Sequence, residues 1–328
     1  MRPLAFAAAL ALALGATLTT LPAAHAQTAA GYPNKPVRLV VGFPPGGPVD
    51  TVGRVLAKLL SAQVNQPVIV DNRAGANGVI GTDAVAKAAP DGYTLLMGAS
   101  TMPIQATMVK NLPYDTLRDL TPISGLSSAP LILVVNPGVP AKNVRELVDF
   151  MKAQNGKVNY ASPSSGSANH LAAELLKSAT GAQATHVPYK GAAPAQADLV
   201  GGQVSFMFDA MPAAMNHVRA GRLRAIAVTG DKRSPIAPDV PTVAESGFPG
   251  FQVLTWYGVF GPGNMPRDLT QRLNAEVNKA LESAEMKERL AALGTEGMPG
   301  SAEQFGNFLR TEIVKWAKVI KESGATAD

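Results

Sequence analysis

Short apolar segments alternate with amphipathic ones from Val37 to Thr229, and this alternation is the feature that most constrains the fold of the chain. Alternating strand and helix patterns are typical of α/β proteins, in which helices connect the strands of a sheet. Strand-like segments such as PLILVVN and VSFMFD are largely apolar, as strands of a sheet covered on both faces are. The sequence therefore predicts mainly parallel sheets flanked by helices.

The alternating pattern divides into two series of similar build. The first contains three predicted strands with two helices between them, at 37–43, 50–63, 68–72, 78–89 and 93–99. The second alternates in the same way, at 130–136, 141–154, 158–162, 170–180, 185–189, 192–200, 204–209, 212–220 and 223–229. Two long helices, predicted at 266–293 and 301–323, follow a Pro-rich connection.

Two lobes joined by two crossings are the domain organisation that we expect. The chain can leave a first lobe near residue 125 and return to it near residue 255, so residues 27–125 and 255–328 form lobe 1 and residues 126–254 form lobe 2. The roughly 300 residues from 27 to 328 are enough for two such units. Small molecules bind in the cleft of such proteins, which close around them by hinge motion.

Residues 1–26 have the composition of a secretory signal peptide. Arg2 precedes a stretch of alanine and leucine, and Ala24-His25-Ala26 supplies the small residues of a cleavage site before Gln27. An uncleaved anchor is the alternative, which Pro22 and the cleavage site disfavour. No later stretch is long and apolar enough to span a bilayer. We therefore expect a soluble protein exported to the periplasm.

Composition and charge argue against several functional classes. The chain contains no cysteine, so export does not serve disulfide formation. Its 29 basic and 24 acidic residues leave a formal charge of +5 without a basic cluster, which favours a small anionic ligand over nucleic acid. The three histidines after the signal peptide, at 170, 186 and 217, lack the spacing of zinc ligands. We expect no metal and no cofactor.

The loops that follow the predicted strands consist of small and hydroxyl-bearing residues, and ligands of open α/β sheets bind at this edge. The first of them, GFPPGGPVD at 42–50, lacks the lysine of a phosphate-binding loop. What remains is a tight turn whose backbone amides, with the positive end of a helix, can approach an anion. We expect Asp50 to cap that helix by accepting from amides near Gly53.

Two later loops offer further polar groups. The segment ASTMPIQ, at 99–105, is interpreted as a loop with two hydroxyl groups, and SPSSGSANH, at 162–170, contains four serines and an asparagine. His170 begins a helix and is interpreted as a structural histidine rather than a base. Ser165, His170 and Asp209 leave a hydrolytic triad open on residue type alone.

A set of motifs gives the chain a family resemblance. In order, they read YPNKPVRLVVGFPPGGPVDTVGR, VIVDNRAGANGVIGTDAVAKAAPDGYTLLMG, LPYDTLRDLTPI, NYASPSSGSANHLAAELL, HVPYKGAAPAQADLVGGQV and PTVAESGFPGF. Together they resemble the Bug family, the TctC-like substrate-binding proteins of tripartite tricarboxylate transporters. The resemblance implies a two-lobed periplasmic binding protein of the type II kind. It also implies a monomer without catalysis, which captures a small carboxylate for the transporter's membrane subunits.

The resemblance further implies a binding site in which amides, hydroxyls and ordered water hold the ligand carboxylate. The residues matched to it are an amide nest of Phe43, Gly46 and Gly47, a pocket of Thr101, Ser162, Ser165, Gly166 and Ser167, and Asp209 at the distal end of the ligand.

One segment departs from the family pattern. Many members read Thr-His-Ala-Ile-Asn-Pro where this chain reads Thr-Met-Pro-Ile-Gln-Ala at 101–106. The change makes the segment less polar, so we expect a carboxylate with an apolar or aromatic body that Met102 selects. A sensor that presents its ligand to a membrane kinase and a secreted hydrolase are the alternative functions.

Overall fold

The computed structural model describes residues 31–326, in which the chain forms ten strands and ten helices. The strands are β1 (Val37–Val41), β2 (Val68–Asn72), β3 (Thr94–Ala99), β4 (Leu120–Val135), β5 (Asn159–Ser162), β6 (Thr185–Pro188), β7 (Phe206–Ala210), β8 (Arg224–Val228), β9 (Leu254–Pro262) and β10 (Glu296–Gly297). The helices are α1 (Pro48–Val64), α2 (Val79–Ala86), α3 (Thr101–Met108), α4 (Val144–Gln154), α5 (Ala168–Thr180), α6 (Ala192–Val200), α7 (Met211–Arg219), α8 (Arg267–Glu282), α9 (Ala284–Ala292) and α10 (Ala302–Ser323). A short 3₁₀ turn at Ala76–Gly78 precedes α2.

Strand β4 is long enough to take part in two sheets. In the first sheet the order is β2-β1-β3-β9-β4, with β10 added to β4. In the second sheet the far half of β4 lies between β7 and β8, and β5 and β6 follow β7. Each sheet combines parallel neighbours with antiparallel ones. This arrangement confirms the predicted two-lobed α/β class.

The direction of β4 determines how the two sheets face each other. Strands β1 and β3 are parallel to each other. Because β9 is antiparallel to both β3 and β4, these two strands share one direction, so β1, β3 and β4 all run toward the second sheet. Strand β7 is antiparallel to β4 and parallel to β5, which is parallel to β6. These strands therefore run toward the first sheet. The carboxyl ends of both sets of strands, where α/β proteins place their ligand loops, face each other.

Helix α10 connects the two hydrophobic cores. Phe305 and Leu309, in its first half, pack with the first sheet in the cluster that contains Trp256. Trp316 and Val319, in its second half, belong to the main core of the second sheet. Full burial of one such side chain contributes about 1.5–3 kcal/mol. Helix α10 thus stabilises both halves of the molecule, and the lobe boundaries near 125 and 255 stay a prediction.

Two helical segments differ from the sequence-based expectation. The predicted helix at 266–293 is wrong in its continuity: Ser283 adopts an extended backbone with ψ of 145°, which ends α8 and begins α9. Its hydroxyl then caps α9 by accepting from the amide of Met286 at 3.2 Å. The predicted loop at 99–105 is also wrong, because α3 begins at Thr101. Pro103 lies in the first turn of that helix, where its missing N–H costs nothing.

Strand β4 is also longer than the predicted strand at 130–136. Its first half contains Pro122 and Gly125, which are unfavourable in strands. The register with β9 shifts between Pro122 and Ser124 and again between Gly125 and Ser127. These irregularities accommodate residues that a regular strand excludes.

The predicted signal peptide, residues 1–26, lies outside the described part of the chain. Among the helices between residues 31 and 326, none combines the length and the apolar composition needed to cross a bilayer.

Candidate functional site

The loop between β1 and α1 is held from within by Asp50. One carboxylate oxygen accepts from the amide of Gly46 at 2.9 Å and from Arg54 Nε at 2.8 Å, and the other accepts from Asn72 Nδ2 at 2.8 Å. Asn72 Nδ2 also donates to the carbonyl of Phe43 at 3.1 Å. The expectation that Asp50 caps the helix near Gly53 is therefore wrong. Its carboxylate instead closes the loop that precedes the helix.

The same contacts determine the charge of Asp50, which is only 2% exposed. Burial by itself raises the pKa of this carboxyl, but hydrogen bonds from Arg54, Gly46 and Asn72 outweigh burial and leave the pKa below its usual 3.8. The amide of Gly46 is thus occupied by a permanent anion of the protein. An incoming anion would meet the start of α1, whose first amides lack acceptors within the helix and form its positive end.

Close backbone contacts fix the position of this loop on the sheet. A Cβ atom on Gly81 of α2 would lie 2.7 Å from the Cα of Gly42, and one on Gly42 would lie 2.9 Å from the Cα of Gly78. The three glycines therefore let the start of α2 pack directly on the end of β1. Gly78 itself has a φ of +102°, a conformation that favours glycine.

Helix α3 presents Thr101 and Gln105 on the side of the facing edges. Thr101 and Phe43 line a small void of about 10 Å³, room for one water at most. Gln105 Nε2 donates to the carbonyl of Asn77 at 2.8 Å. Met102 is 2% exposed and packs in the core with Trp256. Met102 also borders the small void that Thr101 and Phe43 line. Selection of the ligand by Met102 stays a prediction.

The β5–α5 loop, residues 163–167, is also tied together by internal hydrogen bonds. Ser167 caps α5: its hydroxyl accepts from the amide of His170 at 3.2 Å and donates to the carbonyl of Ser164 at 2.8 Å. Ser162, at the end of β5, is fully buried, and its hydroxyl donates to the same carbonyl at 3.0 Å. The amide of Gly166 donates to Nδ1 of His170 at 3.1 Å. Ser162, Gly166 and Ser167 thus determine the path of the loop.

Asp209 is a buried carboxyl without an ion-pair partner among the described residues. It is 1% exposed and accepts from Gln196 Nε2 at 2.6 Å and from the amide of Ala210 at 2.8 Å. Burial raises its pKa, and the hydrogen bonds from Gln196 and Ala210 and the charge of His217 offset that rise only in part. Asp209 therefore lies at the predicted edge but beneath the surface.

We expect Asp209→Asn to raise the free energy of unfolding at neutral pH. A pKa above the usual 3.8 in the folded state means that ionised Asp209 destabilises the fold at pH values above its folded pKa. The advantage of the variant should vanish below the unfolded pKa, where both proteins carry a neutral group. Urea unfolding at several pH values measures this, with the exposed Asp231→Asn as a control. A stability gain that persists unchanged below pH 3.8 would contradict the argument.

A cavity of about 400 Å³ lies where the two edges meet. Helix α3 and the segment after it line one side, the turn at Ala76–Gly78 lines another, and Ser165 and Gly166 come from the β5–α5 loop. The two edges approach closely here, since a Cβ atom on Gly166 would lie 3.0 Å from Sδ of Met108. Among the described residues that line the cavity, none carries a charge. They are Ala76, Asn77, Val79, Ile104, Gln105, Met108, Val109, Asn111, Pro113, Ser165 and Gly166.

The structure brings the predicted site residues together only in pairs. Ser165 and Gly166 share the 400 Å³ cavity, and Phe43 and Thr101 share the small void beside it. Gln105 lines both spaces and connects them. The remaining predicted residues line neither space: Gly46, Gly47, Ser162, Ser167 and Asp209.

Sequence reasoning missed Asn77 and Asn111 as cavity residues. The segment Gly75–Gly78 was the available signal for Asn77, because four consecutive residues with positive φ make a tight turn that the pattern Gly-Ala-Asn-Gly favours.

The family profile described as "Tripartite tricarboxylate transporter family receptor" matches residues 52–325. The chain belongs to this family. A curated relative, protein BugT of Bordetella pertussis, is 41% identical over 314 residues, which cover 95% of this chain and 96% of BugT. The resemblance predicted from the sequence is thereby confirmed.

Two similar proteins have been solved with bound carboxylates. Rpa4515 of R. palustris, solved with adipate, is 35% identical with a TM-score of 0.75 and covers 90% of this chain and 100% of its own. MatC of Rhodopseudomonas palustris, solved with bound malate, is 33% identical with a TM-score of 0.73 and covers 88% of this chain and 100% of its own. Both resemble this receptor over nearly its whole described length.

The hydrolytic triad considered from the sequence does not form in this receptor. The two oxygens of Asp209 accept hydrogen bonds from Gln196 and from the amide of Ala210 rather than from His170. The acid near His170 is instead Glu174, whose Oε1 lies 3.9 Å from Nε2 of the ring. Among the described residues, no group of three or more His, Asp or Glu side chains is arranged to hold a metal ion.

Proposed function

We propose that this protein is a periplasmic solute-binding protein, which captures a small organic carboxylate between its two facing edges. The observation that carries the proposal is the uncharged 400 Å³ cavity at which the β5–α5 loop meets α3. Its volume suits a small metabolite. Family members solved with adipate and malate support a carboxylate as the ligand.

The carboxylate is held by neutral donors rather than by a lysine or arginine. The start of α1 at Gly47 provides a positive helix end, and Thr101 and Ser165 provide hydroxyl groups. Phe43 packs beside Thr101 as the apolar wall of the site. Gly46, Ser162, Gly166 and Ser167 shape the two loops through their internal hydrogen bonds. Asp209 meets the distal end of the ligand after a rearrangement that exposes it.

The bound ligand is delivered to the membrane subunits of a tripartite tricarboxylate-type transporter, and the binding protein acts as a monomer without catalysis. Family membership supports this destination. A periplasmic location fits the family, and we propose that residues 1–26 are the cleaved signal peptide that leads there. Family membership favours a transporter over a sensor kinase as the receiver.

We expect carboxylates to raise the melting temperature of the mature protein. A ligand at a hundred times its Kd adds about 2.7 kcal/mol to the free energy of unfolding, which corresponds to several degrees. The measurement is a thermal-shift screen of refolded protein with adipate, malate, nicotinate and benzoate. Thr101→Val, which keeps the shape of the side chain and removes its hydroxyl, should reduce the shift. Folded protein that responds to none of a broad carboxylate panel would refute the proposal.

A further inference from the structure

Two histidine rings are stacked behind the β5–α5 loop. The rings of His170, on α5, and His186, on β6, are nearly parallel at 7°, and their centroids are 3.8 Å apart. Tyr160 of β5 packs beside both rings, with centroid distances of 5.0 Å to His186 and 6.3 Å to His170. His170 is buried, with 3% of its surface exposed, whereas His186 is partly exposed. The proposed function does not account for these two titratable groups.

The hydrogen bonds of the pair lead directly to the loop. Nδ1 of His170 accepts the amide hydrogen of Gly166 at 3.1 Å, so this nitrogen carries no proton and the ring is neutral in the described state. Nε2 of His186 lies 2.6 Å from the hydroxyl of Ser162, which also bonds the carbonyl of Ser164. One ring therefore holds the loop near its end, and the other holds its beginning.

A proton on His170 cannot be accommodated without breaking the bond to Gly166. Protonated Nδ1 is a donor, and it would face the Gly166 amide, which is also a donor. Two charged rings in parallel contact would also repel each other, so a charge on one ring disfavours a charge on the other. Protonation of His170 therefore means release of the loop at Gly166.

Other ionisable groups near the pair act in both directions. Glu174 of α5, 3.9 Å from Nε2 of His170, favours a charged ring. That carboxylate, however, is shared: Lys177 binds it at 2.7 Å and the hydroxyl of Tyr160 donates to it. Lys177 opposes a further positive charge nearby, and Tyr160 keeps its proton because burial and Glu174 raise its pKa.

We propose that His170 is a positioning residue for the β5–α5 loop and holds the loop in its binding conformation only while its ring is neutral, so that acid weakens carboxylate binding. The effect on affinity rests on the proposed function, whereas the effect on the loop does not. Gly166 and Ser165 line the cavity, so movement of the loop changes the shape of the site.

The experiment compares the wild-type protein with His170→Asn, using adipate as the probe. The Oδ1 atom of asparagine can take the place of Nδ1 and accept from Gly166, but it cannot be protonated in this range. We expect the Kd of the wild type for adipate to rise about tenfold more than that of His170→Asn between about pH 7.5 and 5.5. Protonation of adipate itself affects both proteins equally and cancels in the comparison.

A second measurement needs no ligand and no variant. The NMR signal of the Gly166 amide should shift and exchange faster with solvent over the pH range in which the histidine pair titrates. The amide of Gly324, which donates to the carbonyl of Ile320 at 3.0 Å, is the control because its acceptor cannot titrate. A responsive Gly166 in a protein that binds no adipate would refute adipate as the ligand while supporting the role of His170. If the shift and exchange rate of the Gly166 amide did not change over the pH range in which the pair titrates, our inference would be wrong.

Discussion

Gly81→Ala should lower the free energy of unfolding by about 1–3 kcal/mol, although alanine normally stabilises a helix relative to glycine. Gly81 lies in α2, and its new methyl group would be 2.7 Å from the Cα of Gly42 and 3.1 Å from the carbonyl oxygen of Arg73. Both are backbone atoms and cannot rotate away. Helix α2 must move off the end of β1, so we also expect weaker carboxylate binding, because the loop that follows β1 moves with it.

Gly306→Ala is the matched control for this prediction. Gly306 is also a buried glycine within a helix, but a Cβ atom there would approach no atom closer than 3.7 Å. This variant should gain about 0.5–1 kcal/mol from the lower entropy of its unfolded state. Urea unfolding of the two variants provides the comparison. If both variants changed the free energy of unfolding equally, the close contact between α2 and the end of β1 would not be the cause of the change.

Asp50→Ala is the second substitution for which we expect a large effect, chiefly a rise in the Kd for the ligand. The variant loses the acceptor for the Gly46 amide, Arg54 and Asn72, so the β1–α1 loop is no longer closed. Ordering a loop upon binding costs affinity, and we expect Kd to rise about tenfold or more, on the order of 1.4 kcal/mol. Stability should fall by about 1–3 kcal/mol through the lost hydrogen bonds. Calorimetric titration with the best ligand of the screen measures the first effect and urea unfolding the second.

The pH dependence of the same group provides a further check on it. Because the folded pKa of Asp50 lies below 3.8, its contribution is present above that pH and is lost as the pH falls through the folded pKa. Asp50→Ala should therefore lose its stability deficit in acid. Asp71→Ala is the control, since Asp71 forms exposed ion pairs with Arg38 and Arg73, which contribute little. If Asp71→Ala weakened binding as much as Asp50→Ala, the loop closure would not be the cause.

The fold could be predicted from the sequence because its strands and most of its helices are amphipathic or apolar at regular spacing. The strands at Val37–Val41, Val68–Asn72 and Thr94–Ala99 lie within a few residues of their predicted positions. The first half of β4 could not be predicted, because the pairing with β9 tolerates Pro122 and Gly125 through shifts in register that no local pattern encodes. Ser283 interrupts a helical stripe through its backbone conformation alone.

The candidate site was predictable by residue type but not by contact. Small and hydroxyl residues after the strands pointed to the two edges that face each other, since chain direction alone places those loops. Whether a polar group faces the ligand or the protein depends on partners far away in the sequence. Asp50 accepts a hydrogen bond from Asn72, and Asp209 accepts one from Gln196. Met102 and Gln105 lie in one helix, but the first packs in the core and the second lines the cavity. The helix turns the two side chains in different directions, which could not be predicted while the segment was interpreted as a loop.

The position of β9 and α10 has a consequence for the order in which the chain can fold as it is synthesised. Strand β9 lies between β3 and β4, so the first sheet stays open at its centre until residue 262 has emerged. The core of the second sheet is likewise incomplete until Trp316 and Val319 have been synthesised. Neither half can be completed early, because each depends on residues from the last quarter of the chain. The growing polypeptide therefore lacks a finished core until its last residues have been synthesised.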